Sequence, residues 1–205
     1  MSIKGTQTEK NLLTAFAGES QARNRYVFFA SAANKEGFQA IGKIFDETAG
    51  HEKEHGERLF KFLEGGEVEI SGNFPAGKIG KTIDNLRAAA AGEHEENTDM
   101  YPSFAETAAK EGFLEIADVL KNIGHAERYH EARYTALADA IESGTLFKAG
   151  KVVMWRCTNC GNWHMGVAAP DLCPACLHPQ GYFISEAVLS QCDTNEGFCS
   201  KYGDK

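Results

Sequence analysis

The sequence has no cysteine before residue 157 and no apolar run near the length of about 18 residues that suggests a membrane-spanning helix. Residues 1–10 also lack the apolar stretch of a signal peptide. Positive charge is scarce, because 21 Lys and Arg against 29 Asp and Glu leave a formal net charge of −8. These absences argue against a membrane protein, a nucleic-acid partner and binding to an anionic membrane surface, and we expect a cytoplasmic protein.

All six cysteines lie after residue 156, which does not suit a secreted disulfide scaffold. Four of them, Cys157, Cys160, Cys173 and Cys176, form the pattern C-x2-C-x12-C-x2-C. This spacing predicts one tetrahedral four-thiolate metal site, and it leaves zinc and iron both open. The surrounding segment of about 30 residues has too little core to fold unaided, so we expect metal binding to drive its folding.

A chain of 205 residues with 42% hydrophobic residues allows one domain of ordinary size and a small second one. We predict a helical domain at residues 1–145, a linker at 146–154, a metal-bound domain at 155–186 and an extra tail at 187–205. The tail carries Cys192 and Cys199, which we expect to be idle thiols. A local disulfide or a weak extra metal pair stays open for them.

Glu and His occur three residues apart at two places, Glu52 with His55 and Glu127 with His130. On a helix, residues three apart share a face. A lone His on an apolar face is usually a satisfied core residue, but its pairing with Glu favours a metal ligand. His51 falls off the inward stripe, and we expect it to be solvated.

The surroundings of the two pairs repeat as well. Lys-Glu-Gly-Phe stands at 35–38 and at 110–113, and in each case the Phe lies 14 residues before the Glu of the pair. A further glutamate precedes each pair, Glu19 by 33 residues and Glu93 by 34. The first 145 residues therefore read as one helical-hairpin unit used twice. Four carboxylates and two imidazoles are the ligand set of a di-iron or di-manganese site in a four-helix bundle.

The periodicity predicts four helices, at residues 6–36, 38–64, 82–111 and 113–143. We expect Thr8 to cap the first helix and Pro102 to kink the third. Residues 65–80 are long enough, at about 3.3 Å each, to cross the whole bundle, as a ferritin-like fold requires. The predicted fold is thus an all-α four-helix ferritin-like bundle with a small metal-bound domain after it.

Two glutamates on these helices have competing interpretations. Glu19 lies on an apolar stripe, and it could be a rim residue paired with Arg23 instead of a ligand. An unpaired carboxylate there is costly unless a cation neutralises it, which favours the ligand. Glu96, three residues after Glu93, is either solvated or an extra ligand.

The chain resembles the rubrerythrin family over nearly its full length. The motifs that carry the resemblance are Ala17–Tyr26, Glu52–His55, Ala91–Glu96, Asp99–Phe104, Glu127–His130 and the four-cysteine module. The resemblance implies a ferritin-like di-iron domain followed by a rubredoxin-like iron domain with β structure. It also implies reduction of hydrogen peroxide to water, with electrons drawn from NAD(P)H through a separate reductase or rubredoxin. The family's head-to-tail homodimer is a further expectation.

The resemblance implies a role for each candidate ligand. Glu52 and Glu127 would bridge two irons. Glu19, Glu93 and His130 would be terminal ligands.

The two remaining candidates would alternate with oxidation state. Glu96 would hold one iron when oxidised and His55 when reduced, since a carboxylate suits the ferric ion and a neutral imidazole the ferrous one. Tyr26 and Tyr101 would donate hydrogen bonds that orient the carboxylates. Iron is expected in the four-cysteine site as well, with zinc possible if the site is misloaded.

Two other functions compete with a peroxidase. The first is a ferroxidase or iron-handling protein, against which the four-thiolate module counts, because storage needs no dedicated electron supply. The second is a zinc-ribbon adaptor on a helical bundle, which would leave six inward-facing ligand-type residues unexplained.

Overall fold

The computed structural model describes residues 1–189, so most of the predicted tail, with Cys192 and Cys199, lies outside the described residues. The helices are α1 (Gln7–Glu36), α2 (Gln39–Phe60), α3 (Thr82–Glu95), α4 (Tyr101–Lys110), α5 (Leu114–Glu142) and the short α6 (Glu186–Leu189). A π-helical turn, Glu96–Met100, joins α3 to α4. The strands are β1 (Lys148–Cys157), β2 (Trp163–Ala168) and β3 (Phe183–Ser185). Among these helices, none has both the length and the apolar character needed to span a bilayer.

The repeated Lys-Glu-Gly-Phe segments end α1 and α4 in the same way. Gly37 and Gly112 both have φ of 88°, a left-handed conformation that glycine adopts without steric cost. The amide of the next residue then bonds to a carbonyl five residues earlier, at 2.9 Å for Phe38 and 2.8 Å for Phe113. This is the Schellman arrangement, and it explains why the same four residues close a helix in each half.

The first helix begins differently from the prediction. Thr6, not Thr8, is the N-cap, and its hydroxyl accepts a hydrogen bond from the amide of Glu9 at 3.1 Å. Thr8 is buried and its amide donates to the carboxylate of Glu111 at 2.8 Å. Glu36 caps α3 in the same manner, so each half of the repeat supplies an acidic cap to the first helix of the other half.

The irregularity predicted at Pro102 takes the form of the π-turn that precedes it. The amide of Tyr101 donates to the carbonyl of Glu96, five residues back, and the turn thereby holds one residue more than an α-helix would. This extra residue accounts for the spacing of 34 in the second half against 33 in the first. Glu96 stands at the start of the turn.

The segment between α2 and α3 crosses the length of the bundle, as the sequence predicts. At its start, Glu64 accepts a hydrogen bond from the amide of Ile3 at 2.9 Å, next to the beginning of α1. At its end, the amide of Thr82 donates to Glu36 at 3.1 Å, at the other end of α1. Midway, a side chain of α1 donates to the carbonyl of Pro75. The two hairpins therefore enter the bundle from the same end.

Two apolar clusters fill the ends of the bundle. One contains Tyr26, Phe45 and Tyr134, and the other contains Leu12 and Leu120. The buried polar side chains of the four long helices lie between these clusters. The charged pocket is thus enclosed by apolar packing above and below.

The small domain is a three-stranded antiparallel sheet with strand order β2-β1-β3. Its core is Trp155, which is fully buried and donates its indole N–H to the carbonyl of Gly166 at 3.0 Å. The strand β1 begins at Lys148, inside the segment 146–154 expected to be a linker, because its first residues pair with β2 across an irregularity before Val153.

The sheet domain packs against the turn between α1 and α2. The rings of Phe38 and Phe147 stack with centroids 6.3 Å apart. Lys43 donates to the backbone carbonyl of Thr158. Gly181 lies so close to α1 that a Cβ at this position would come within 1.7 Å of a carbonyl oxygen there.

Candidate metal centres

Six of the seven predicted bundle ligands converge into two groups. Within each group, the ligand atoms lie within 4.8 Å of one another. The first group is Glu19, Glu52, His55 and Glu127, and the second is Glu52, Glu93, Glu127 and His130. The two groups share Glu52 and Glu127, and the four glutamates are at most 2% exposed. Two cations held side by side by shared carboxylates fit this arrangement.

Two tyrosines tie the halves of the repeat together. The hydroxyl of Tyr101 donates to Glu19, and the hydroxyl of Tyr26 donates to Glu93. Burial first, and then the nearby carboxylates, raises the pKa of both tyrosines well above the usual range. Both side chains therefore remain phenols that donate a hydrogen bond, and each orients a carboxylate from the opposite half.

The remaining ligand atoms have no such donors. Among the described residues, both carboxylate oxygens of Glu127, one oxygen each of Glu19, Glu52 and Glu93, and Nδ1 of His130 are buried without a hydrogen-bond partner. They nonetheless crowd together, with Nδ1 of His130 2.7 Å from one oxygen of Glu127. Buried carboxylates without donors are costly. Carboxylate and imidazole ligands that aim at a common point fit a pair of iron ions.

The electrostatics of the pocket point the same way. Burial first, and then neighbouring carboxylates, raises the pKa of Glu19 well above its usual range, and burial raises that of Glu93 to about 8. Burial opposes ionisation of Glu52, but hydrogen bonds from both imidazoles outweigh it and lower its pKa to about 2. Burial is likewise outweighed at the imidazoles, where carboxylates raise the pKa of His55 to about 10 and that of His130 to about 12. The pocket retains protons at positions where divalent cations would replace them.

Glu96 joins neither ligand group. It is half-buried and lines a cavity of about 230 Å³ together with Arg25, beneath the crossing segment. Burial first, and then Glu93, raises the pKa of Glu96 well above its usual range, while Arg25 opposes this shift. In this structure the shared carboxylates are therefore approached by His55, at 2.8 Å from Glu127, and not by Glu96.

His51 is a residue of the site that the sequence interpretation missed. It is half-buried, not solvated, and its Nδ1 lies 3.1 Å from Nε2 of His130. Burial first, and then His130, lowers the pKa of His51. The spacing contains one signal that could have found it: His51 lies four residues before His55, which places both on one side of α2.

The four predicted cysteines form the second centre. Their sulfur atoms lie within 4.8 Å of one another, and the closest pairs are Cys157 with Cys176 at 3.8 Å and Cys160 with Cys173 at 3.7 Å. Metal–sulfur bonds of about 2.3 Å in a tetrahedron place the sulfurs about 3.8 Å apart. The four thiolates therefore fit a tetrahedral ion without rearrangement, as the spacing predicts.

Comparison with known proteins agrees with both centres. The family model described as Rubrerythrin matches residues 10–138, and the model described as Rubrerythrin, rubredoxin-like domain matches residues 155–184. A rubrerythrin of Porphyromonas gingivalis is 59% identical over 89% of this chain and 91% of its own. A rubrerythrin of Nitratidesulfovibrio vulgaris is 57% identical over 89% of this chain and 95% of its own.

A solved structure gives the same relationship in three dimensions. The structure titled as the fully reduced, all-ferrous state of nigerythrin superposes with a TM-score of 0.59 and 29% identity, over 90% of this chain and 91% of that one. The protein therefore belongs to the rubrerythrin family, with a ferritin-like bundle whose carboxylate and histidine ligands fit a di-iron site and a rubredoxin-like domain whose four cysteines fit a second iron site.

Proposed function

We propose that this protein is a non-haem di-iron peroxidase that reduces hydrogen peroxide to water, with electrons passed from a reductase or rubredoxin through the four-cysteine iron to the di-iron site. The observation that carries the proposal is a pair of ligand groups sharing two buried carboxylates, in one chain with a redox-type four-thiolate site. When bound, paired iron ions supply electrons to peroxide and stabilise the charge that develops on its oxygens.

The ligand roles follow the geometry of the two groups. Glu52 and Glu127 are shared and so are proposed to bridge the irons. Glu19 and Glu93 each belong to one group and hold a hydrogen bond from a tyrosine, which suits terminal ligands. The sixth ligand, His130, presents Nδ1 to the second group.

Protons are available inside the pocket. Reduction of one peroxide to two waters consumes two protons along with two electrons. Carboxyl groups whose pKa is raised by burial, such as that of Glu93, hold protons near neutral pH. A cavity of about 570 Å³, lined by His55 and His130 among others, opens the pocket to small polar molecules such as hydrogen peroxide.

A head-to-tail homodimer completes the proposal. The sheet domain packs at the start of α2, and Glu52 lies 13 residues further along that helix than Gln39. At 1.5 Å per residue this is about 20 Å, a long gap for electron transfer within one chain. A partner subunit whose sheet domain approaches the mouth of the pocket would shorten it.

Reoxidation kinetics test the proposed substrate. The anaerobically reduced protein is mixed separately with hydrogen peroxide and with oxygen, and reoxidation of the iron is followed by absorbance. We expect peroxide to reoxidise it at least about tenfold faster, which is roughly 1.4 kcal/mol in barrier height. Faster reoxidation by oxygen would instead support a ferroxidase.

A pair of variants tests the proposed exchange between His55 and Glu96. We expect His55→Ala to weaken ferrous binding more than ferric binding, and Glu96→Ala to show the reverse order, because imidazole suits the ferrous ion and carboxylate the ferric ion. Metal affinity in both oxidation states is measured by chelator competition. Equal losses in the two states for His55→Ala would contradict the exchange.

A further inference from the structure

His51 makes a contact that distinguishes one imidazole of the site from the other. Its ring stacks on that of His130 with centroids 5.2 Å apart and planes inclined by 12°. Its Nδ1 lies 3.1 Å from Nε2 of His130. Both rings line the 570 Å³ cavity, so His51 stands between His130 and solvent.

The direction of this hydrogen bond follows from the chemistry of imidazole. Nδ1 of His130 is the nitrogen that faces the carboxylates, at 2.7 Å from Glu127 and 3.3 Å from Glu52. A neutral imidazole has one lone-pair nitrogen and one N–H. If Nδ1 binds a metal, the hydrogen sits on Nε2, and it points at Nδ1 of His51. His51 must then accept, with its own hydrogen on Nε2.

The other half of the repeat places no equivalent acceptor at the matching position. The residue that corresponds to His51 in α5, one position before Glu127, is Ala126. Ala126 lines the same cavity but offers no side-chain acceptor to His55. The carboxylates surround Nδ1 of His55 much as they surround that of His130. Of these two imidazoles, His130 is therefore the one held at its outer nitrogen by a histidine.

We propose that His51 is a positioning residue that accepts the Nε2 hydrogen of His130 and so fixes the tautomer and ring orientation in which Nδ1 binds metal. The inference rests on the ligand role proposed for His130. It gives the two imidazoles different duties: His130 is a fixed ligand, and His55, without a histidine at the matching position, is free to exchange. Outer hydrogen bonds of this kind typically change metal affinity by about 10- to 100-fold.

Two substitutions separate the acceptor from the bulk of the ring. His51→Leu removes the acceptor, and His51→Gln retains one in its amide oxygen. We expect His51→Leu to bind the second ferrous ion at least about tenfold more weakly in chelator competition, and His51→Gln to restore most of the affinity. Equal affinities for the parent and both variants would overturn the proposal.

Histidine NMR gives a readout independent of turnover. In the zinc-loaded, diamagnetic protein, two-bond nitrogen–proton correlations identify which ring nitrogen carries hydrogen. We expect His130 to be protonated at Nε2 in the parent and in His51→Gln, and to lose this single tautomer in His51→Leu. A single Nε2–H tautomer in all three proteins would show that His51 does not set it, and would overturn the proposal.

Two controls keep the outcomes distinct. Glu54→Leu alters the same cavity but removes a side chain that pairs with Lys53, so it should leave affinity unchanged. His130→Ala tests the ligand role itself. If His130→Ala keeps both metals, that role fails and the inference with it. If His130→Ala loses a metal but His51→Leu does not, only the inference about His51 fails.

Discussion

At the residue scale, Glu127 is the side chain on which both ligand groups depend most. Its two oxygens approach different imidazoles, His55 at 2.8 Å and His130 at 2.7 Å. It is fully buried, and neither oxygen has a hydrogen-bond partner among the described residues. Removing it takes one ligand from each metal position at once.

We therefore expect Glu127→Ala to lose both bundle irons while the four-cysteine centre keeps its colour. Iron content per chain and the visible spectrum measure the two centres separately. The control is Glu142→Ala in the same helix, which removes an exposed carboxylate paired with Arg87 and should retain all the iron. Undiminished bundle iron in Glu127→Ala would refute the ligand assignment.

The pKa shifts predict how the metal-free protein responds to pH. Burial raises the pKa of Glu93 from 4.5 to about 8, so its stabilising contribution is complete below pH 4.5 and lost as pH rises through 8. The raised pKa of His55, from 6.5 to about 10, acts in the same direction at higher pH. The free energy of unfolding should then fall from about pH 6 to about pH 9, by about 1.4 kcal/mol per pH unit for each extra proton held by the folded state.

Urea unfolding followed by helical circular dichroism measures this dependence. The iron-loaded protein serves as the comparison, because cations replace the protons and their binding strengthens as pH rises. We expect the two forms to show slopes of opposite sign. A metal-free protein whose stability rises over this range would contradict the assignment of protonated groups.

The ligands could be predicted because they recur. A Glu-x-x-His pair found twice, with the same residues before it, singles out a few carboxylates among 29 acidic residues. His51 could not be found in this way, because it occurs in one half only and its partner, His130, lies on another helix. A contact without periodicity leaves no trace in the spacing.

At the element scale, the π-turn is what lets the third helix serve the site. The extra residue places Tyr101 eight positions after Glu93, where Tyr26 is seven after Glu19, and both hydroxyls still reach the opposite carboxylate. The sequence contained this information as the difference between 33 and 34. Spacing alone could not say whether the additional residue formed a kink, a loop or a widened turn.

The close packing of α4 on α5 gives a prediction for this element. A Cβ on Gly124 would lie 3.0 Å from Cβ of Tyr101. We expect Gly124→Ala to destabilise the protein by about 1–3 kcal/mol through overpacking, and to weaken iron binding by shifting the tyrosine that holds Glu19. Urea unfolding and chelator competition provide the measurements.

Gly50→Ala is the matched control. Gly50 lies in α2 and is exposed, and a Cβ added there would meet no atom within 4 Å. The substitution should stabilise the helix by up to about 1 kcal/mol, because alanine has the higher helix propensity. If both substitutions stabilise the protein equally, the packing at Gly124 is not tight.

At the scale of the whole molecule, two glycines set how the sheet domain sits on the bundle. A Cβ at Gly181 would come within 1.7 Å of the carbonyl oxygen of Gly37, which no side-chain shift can relieve. Nothing in the sequence links these positions, since they belong to different domains and share no repeat. The docking was therefore beyond prediction, although both domains were predicted.

We expect Gly181→Ala to separate the sheet domain from the bundle while both metal centres remain intact. Small-angle X-ray scattering should show a larger radius of gyration, and iron content should be unchanged. Gly150→Ala, where a Cβ meets no atom within 4 Å, should leave the scattering curve as in the parent. An unaltered curve for Gly181→Ala would mean that the domains tolerate a wider separation than the contact suggests.

The exchange of acidic caps and tyrosine hydrogen bonds between the two hairpins has an evolutionary corollary. Every contact that one hairpin asks of its neighbour is a contact it also offers, so two copies of residues 1–60 facing each other would recreate six ligands around two cations. Such an ancestor would need no second hairpin to hold its ions. It would, however, have lacked any counterpart of Glu96, and so duplication into a single gene was what allowed one cation to acquire a ligand that its twin does not have.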